Sequence, residues 1–104
     1  MNSATRENEL QRYKDEIAQK LIALRVSVGF TSPFKVSEET SKGADAIYKL
    51  EKGLYIPNRS TLQILYRVYR MNDKEFKDIE LIVAKANKLQ KEIRFESRKG
   101  IITR

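Results

Sequence analysis

The side chains best suited to acid–base chemistry are the adjacent carboxylates Glu38 and Glu39, in a chain of 104 residues with no His and no Cys. Neighbouring residues on a helix point about 100° apart, so these two carboxylates do not converge on one proton. Without His and Cys, thiolate nucleophiles, Ser-His-Asp arrangements and the usual zinc sites are excluded. We therefore predict no catalytic residue, no metal site and no cofactor, and we expect that the chain is not an enzyme.

The remaining chemistry is electrostatic, because 21 Lys and Arg against 14 Asp and Glu give a formal net charge of +7 at pH 7. A surplus of this size favours a polyanionic partner, either nucleic acid or an anionic membrane face. The surplus is uneven: residues 31–60 hold five basic and four acidic residues, whereas residues 61–104 hold eleven and six. The longest apolar runs, Leu21 to Leu24 and Leu81 to Ala84, fall far short of the about 20 residues that span a bilayer. We expect a cytoplasmic protein with no membrane partner.

Five Tyr residues offer a second kind of binding chemistry, since aromatic rings can stack on bases. Most of them, including Tyr13 and Tyr66, stand at the spacing of helix core positions, which favours packing over stacking. Tyr48 and Tyr55 are the exceptions and are candidate binding residues.

These side chains must be positioned by helices, because apolar residues recur at spacings of three or four and only four Gly and two Pro interrupt them. The pattern predicts helices over 7–28, 33–40, 44–52, 61–70 and 73–95, and no segment alternates as a strand does. Ser32, Ser60 (with Gln63 three residues on) and Asn72 are the predicted N-caps. Gly29 and Gly53 are the predicted C-terminal stops. The predicted fold class is all-α.

The last predicted helix is unusually long, about 34 Å at 1.5 Å per residue. One broad arc of this helix is apolar, and lysines occupy the opposite side. A helix of this length with a continuous apolar arc favours pairing with a second copy over folding back on its own domain. The predicted dimerisation residues are Phe76, Ile79, Ile82, Val83, Ala86, Leu89 and Ile93. Residues 7–72 would form the main domain, 73–95 the dimerisation helix and 96–104 a loose basic tail.

The centre of the chain carries the most specific pattern. Leu24-Arg25 is followed by Gly29, and later by Ile47-Tyr48-Lys49-Leu50-Glu51-Lys52-Gly53, Ile56-Pro57 and Ser60-Thr61-Leu62 with Leu65. This series resembles the helix-turn-helix domain of the phage repressor, Cro and xenobiotic-response-element family, over about residues 17–76. The resemblance implies a five-helix, lambda-repressor-like domain, here with an extended first helix and a long C-terminal helix.

The resemblance also implies roles for individual residues. Arg25 and Glu51 would form a partly buried ion pair that supports the domain. Helix 44–52 would enter the major groove of duplex DNA, with Lys42, Tyr48 and Lys49 as candidate base contacts. Thr31, Ser32 and the 52–61 loop would hold phosphates. The full DNA-binding set is Thr31, Ser32, Lys35, Lys42, Ala44, Asp45, Tyr48, Lys49, Lys52, Tyr55, Asn58 and Arg59.

The expected function is that of a sequence-specific DNA-binding transcriptional regulator, a repressor of bacterial, phage or mobile-element origin that binds double-stranded DNA as a homodimer. Two alternatives stay open. The Gly43-Ala44-Asp45-Ala46 opening of the recognition helix offers few base-reading side chains, which is compatible with a helix-turn-helix module that binds a protein partner. A non-specific architectural DNA binder is the third hypothesis.

Overall fold

The computed structural model of the chain describes the backbone of residues 3–102 and the side chains of residues 5–96. Five helices make up the fold: α1 (Ser3–Ser27), α2 (Pro33–Glu38), α3 (Ala44–Glu51), α4 (Arg59–Val68) and α5 (Asp73–Ile102). No strand occurs within these residues, so the all-α prediction is confirmed. None of the helices in the described part of the chain has the length and apolar character needed to cross a bilayer.

Most helix ends lie where the sequence pattern predicts them. Ser32 caps α2 by accepting a hydrogen bond from the backbone N–H of Lys35, with Pro33 at the first helical position. Asn72 and Glu75 form a reciprocal capping box at the start of α5, with N···O distances of 2.8 and 2.9 Å. Gly29 (φ 95°) and Gly53 (φ 72°) adopt the left-handed conformation that ends α1 and α3.

The start of α4 differs from its prediction. Its N-cap is Asn58 and not Ser60, because the Asn58 side-chain oxygen accepts a hydrogen bond from the backbone N–H of Thr61 at 2.8 Å. Asn caps a helix as well as Ser does, and the earlier start adds Arg59 and Ser60 to the hydrogen-bonded helix. The capping box expected from Ser60 and Gln63 was therefore wrong.

The core is built between α1 and α5 and is closed by the three shorter helices. Ile17 and Leu21 of α1, Val36 of α2, Ile47 of α3 and Leu65 of α4 are almost fully buried in one cluster that also contains Ile79 of α5. A second, smaller cluster joins Leu10 of α1 to Ala86 and Leu89 of α5. Since Leu10 precedes Ile17 while Ala86 follows Ile79, α1 and α5 run antiparallel.

The apolar arc of α5 is part of this intramolecular core, and the predicted dimerisation face was wrong. Ile79 and Ala86 are 1% and 0% exposed within the single chain, and Ile82, Val83 and Leu89 are also buried. Phe76 and Ile93 are half-buried and pack against the same two clusters. The length of α5 suggested a surplus of apolar surface, but α1 begins at Ser3 and covers that surface from the same chain.

The loose tail predicted for residues 96–104 was also wrong, because α5 continues to Ile102. A salt bridge joins Glu96 of α5 to Arg6 of α1 and extends the pairing of the two helices beyond the predicted end. No Gly or Pro interrupts the chain between Asp73 and Gly100, so backbone propensity does not stop the helix at residue 95. Residues 103 and 104 of the predicted tail lie outside the described residues.

Candidate nucleic-acid interface

Two short helices, α2 and α3, are joined by a tight turn that presents one face of α3 to solvent. In the turn, the Thr40 hydroxyl accepts a hydrogen bond from the backbone N–H of Lys42 at 3.0 Å. Ile47 and Leu50 hold the inner face of α3 in the core at 1% and 7% exposure. The outer face of α3 carries Asp45, Tyr48 and Lys49, and Lys52 follows as the C-cap residue of the helix. This face is therefore both accessible and fixed in direction.

The C-terminal end of α3 is fastened to α1 by a bidentate ion pair. Arg25 donates from Nε and Nη2 to the two carboxylate oxygens of Glu51, at 2.7 and 3.1 Å, and from Nη1 to the backbone oxygen of Phe30 at 2.9 Å. Both side chains are about nine-tenths buried. The ion pair expected from the sequence is thus present, and its fork geometry fixes the orientation of α3 relative to α1.

The hydroxyl of Tyr69 lies in the electrostatic field of this ion pair. Tyr69 is 1% exposed, and its hydroxyl is buried without a hydrogen-bond partner among the described residues. Burial and, to a lesser extent, the nearby Glu51 carboxylate raise the pKa of Tyr69 well above its usual range. The phenol is therefore neutral at every pH at which the protein is ordinarily studied.

A second interaction, a hydrogen bond that the sequence patterns did not predict, holds the loop after α3. Gln11 of α1 donates from Nε2 to the backbone oxygen of Gly53 at 2.8 Å and to Asp15 Oδ1 at 2.9 Å. A Cβ atom on Gly53 would lie 2.5 Å from Asp15 Oδ1, so the Asp15 side chain would have to move, whereas the positive φ of 72° favours glycine in any case. Gln11 and Gly53 are 42 residues apart in sequence, and helix periodicity does not predict a contact over such a separation.

The charged side chains on the outer face are partly engaged within the chain. Lys49 Nζ lies 3.0 Å from Asp45 Oδ2, one turn away on α3, and this hydrogen bond and charge raise the pKa of Lys49. The ammonium of Lys52 stands over the Tyr48 ring, 4.8 Å from its centroid. Lys35 of α2 approaches Glu38 at 3.6 Å. Lys42 and Arg59 make no ion pair with any residue that the structure describes.

The predicted DNA-binding residues occupy neighbouring but distinct places. A groove of about 410 Å³ between α3 and the loop before α4 brings together five of them: Lys42, Asp45, Lys49, Tyr55 and Asn58. Tyr48 on α3 and Lys52 at its C-cap are exposed, and half-buried Ala44 begins that helix. Thr31, Ser32 and Lys35 lie at the start of α2, and Arg59 begins α4. Tyr48 and Tyr55 are 52% and 55% exposed, as expected for the two exceptions among the tyrosines.

Two members of the set have a structural use in addition. The side chains of Ser32 and Asn58 each cap a helix, so the oxygen that accepts that bond is already committed.

Comparisons of the chain with protein-family models, with curated proteins and with solved structures found no match.

Proposed function

We propose that this protein is a sequence-specific DNA-binding transcriptional regulator whose α2, turn and α3 act as a helix-turn-helix unit. The observation that carries the proposal is the outer face of α3, where Tyr48, Lys49 and Lys52 are accessible while Ile47 and Leu50 anchor the opposite face. A rigid helix with a polar, cationic face is the element that reads base edges in the major groove. The bidentate Arg25–Glu51 pair supports the proposal by holding that helix at a fixed angle.

Phosphate contacts would flank the reading helix on both sides. Lys42 precedes α3, Arg59 begins α4, and both cations are free of ion pairs within the described residues. The first backbone N–H groups of α2 and α4 add partial positive charge at Ser32 and Asn58. Such contacts fix the register of the protein on the duplex, whereas the α3 side chains supply specificity. The repressor role and the bacterial, phage or mobile-element origin follow only from the family resemblance.

The proposal is tested by comparing two lysines that sit in the same kind of ion pair. Lys49→Ala removes a cation paired with Asp45 on α3, and Lys74→Ala removes one paired with Asp78 on α5. Lys49→Ala is expected to weaken binding to a duplex by about tenfold, since a base contact contributes about 1–3 kcal/mol. Lys74→Ala should change affinity less, and neither variant should lower the melting temperature by more than a few degrees.

Fluorescence anisotropy with labelled duplex DNA at two salt concentrations measures these affinities, and circular dichroism follows the melting. Equal losses of affinity in the two variants would show that α3 is not the reading helix. If the wild-type protein binds no duplex and shows no salt-dependent affinity, the proposal fails.

A protein-interaction module is the second candidate, favoured by exposed apolar side chains on the segments that flank α3 in sequence. Phe34 of α2 and Leu54 in the loop after α3 are 56% and 52% exposed. Large apolar residues in such positions are typical of protein contacts and add nothing to phosphate binding. Replacing both with Ser separates the candidates, because a DNA reader keeps its duplex affinity in that variant.

A further inference from the structure

Asp45 is an unusual side chain for a surface that approaches DNA. It belongs to the first turn of α3, and its side chain is 81% exposed. A free carboxylate there repels phosphates and also repels the guanine and thymine acceptors in the major groove. It is compatible with a DNA interface only if it meets a base that donates a hydrogen bond. In the helix-turn-helix geometry proposed above, the N-terminal residues of the reading helix are the ones that contact base edges.

The partner of Asp45 supplies the opposite chemistry at hydrogen-bond distance. Lys49 Nζ lies 3.0 Å from Asp45 Oδ2, and 42% of the Lys49 side chain is exposed. An ammonium has three N–H donors, so this contact leaves two of them for an external acceptor. A carboxylate oxygen likewise retains acceptor capacity after one bond. The pair therefore presents one acceptor beside one donor, both facing outward from α3.

A G·C base pair presents the complementary pattern in the major groove. Cytosine N4 is a donor, and guanine O6 and N7 are acceptors. N4 and O6 are themselves joined by a hydrogen bond, so they stand at a typical N···O distance of about 2.9–3.0 Å. The separation between Lys49 Nζ and Asp45 Oδ2 matches this spacing. Neither side chain needs to break its contact with the other in order to face the base pair.

We propose that Asp45 and Lys49 together read one G·C base pair, with the Asp45 carboxylate accepting from cytosine N4 and the Lys49 ammonium donating to guanine O6 or N7. This assignment deepens the proposed function and rests on it. It makes Asp45 a specificity-determining residue that repels an A·T pair at this position wherever the carboxylate meets thymine O4. The preferred DNA site must then contain at least one G·C pair whose exchange for A·T, with thymine in the place of cytosine, lowers the affinity.

The ordinary role of such a pair is to stabilise its own helix. Asp45 lies in the first turn of α3, where a negative charge is favourable, and the N-cap residue Gly43 has no side chain to bond the free N–H groups. Lys74 and Asp78 form a pair of the same spacing on α5, at 3.4 Å, and belong to none of the proposed DNA-binding residues. That pair provides a matched control, because its removal changes a helix ion pair and no proposed base contact.

The test begins with duplexes selected by the wild-type protein from a random pool. Each position of the enriched site is then changed in turn, and the affinities are measured for the wild type, Asp45→Asn and Asp78→Asn. For the wild type, exchanging the contacted G·C pair for A·T, with thymine in the place of cytosine, is expected to lower affinity about tenfold. Asp45→Asn should remove this preference at that one position, since an amide N–H can donate to the thymine O4 that the carboxylate repels. Asp78→Asn should keep the wild-type preference at every position.

Three results would overturn the inference. Asp45→Asn with an unchanged base preference and a lowered melting temperature would assign the pair to helix stability alone. An enriched site without any required G·C pair would exclude the reading of that pair while leaving DNA binding intact. Failure of the wild-type protein to enrich any duplex would overturn the proposed function, and this inference with it.

Discussion

Tyr69 combines a well-packed ring with a hydroxyl that bonds to nothing in the described residues. The ring is 1% exposed and tilts against Phe30 with their centroids 6.2 Å apart. A buried hydroxyl that has lost its water and gained no partner costs about 1–3 kcal/mol. In addition to burial, the charges of Glu51 and Arg25 act on the pKa of the same hydroxyl in opposite directions, Glu51 raising it and Arg25 lowering it.

Replacing this tyrosine by phenylalanine is expected to stabilise the protein. Tyr69→Phe keeps the ring and removes the unpaired hydroxyl, and we expect the free energy of unfolding at pH 7 to rise by about 1 kcal/mol. Tyr66→Phe is the matched control, because the Tyr66 hydroxyl donates to Asp73 at 2.9 Å and its loss should lower stability by about 0.5–1 kcal/mol. Urea unfolding measures both changes. Destabilisation by Tyr69→Phe would mean that its hydroxyl is bonded in solution.

The wild type and Tyr69→Phe should also differ in how their free energies of unfolding depend on pH. Burial raises the pKa of Tyr69 in the folded state, while an unfolded tyrosine titrates near pH 10. Between these two pKa values the unfolded chain releases a proton that the folded chain retains, so stability falls as pH rises above about 10. Below pH 10 the Tyr69 hydroxyl is protonated in both the folded and the unfolded state, so its contribution to the free energy of unfolding no longer changes with pH. The wild type should therefore lose more stability than Tyr69→Phe between pH 9 and pH 11, and parallel curves would contradict this account.

At the scale of elements, α5 is the clearest case in which tertiary packing decides the role of a helix. Its buried side chains belong to the same clusters as those of α1, and Ile79 is 1% exposed within one chain. On the other side of the helix, Leu81 is 61% exposed. The two residues have similar apolar side chains and opposite environments, which makes them a direct test of where the apolar arc lies.

Ile79→Ala is expected to lower the free energy of unfolding by about 2–5 kcal/mol through lost burial and the cavity left behind. Leu81→Ala should change it by less than about 0.5 kcal/mol. Because the burial is intramolecular, the cost of Ile79→Ala should be the same at low and high protein concentration. Denaturant titrations at protein concentrations 100-fold apart check this. A cost that depends on protein concentration would place Ile79 in an interface between copies.

The helix ends also show which features of the fold can be predicted from the sequence. Local signals were sufficient for the caps at Ser32 and Asn72 and for the left-handed Gly29 and Gly53, because these depend on residues close in sequence. Asn58 and Ser60 are both adequate N-caps, and which of them begins α4 depends on how the loop packs. The sequence pattern predicted Ser60, but the N-cap is Asn58.

Long-range contacts explain the other differences. The partner of an apolar helix face is not encoded in its periodicity, so α5 was assigned to a dimer although α1 covers it. The Gln11–Gly53 hydrogen bond joins polar residues that belong to no motif. The Arg25–Glu51 pair was recoverable only because the family resemblance linked two residues 26 positions apart.

At the scale of the whole molecule, the net charge of +7 is less informative than its arrangement. Several positive charges near the proposed reading helix are engaged inside the chain, by Glu51, by Asp45 and by Glu38. The exposed lysines Lys77, Lys85, Lys88 and Lys91 lie on α5, away from its buried arc. Charge alone therefore supports an anionic partner, whereas the case for sequence reading depends on the outer face of α3.

Sequence reading by α3 is tested most directly by the enrichment of sequences from a pool of random duplexes at moderate salt. We expect one enriched motif that contains a required G·C pair, bound with an affinity that falls as salt rises because phosphate contacts release counterions. A retained pool that stays random would identify a non-specific binder. If no duplex is retained above background, α3 does not read DNA and the proposed function is wrong.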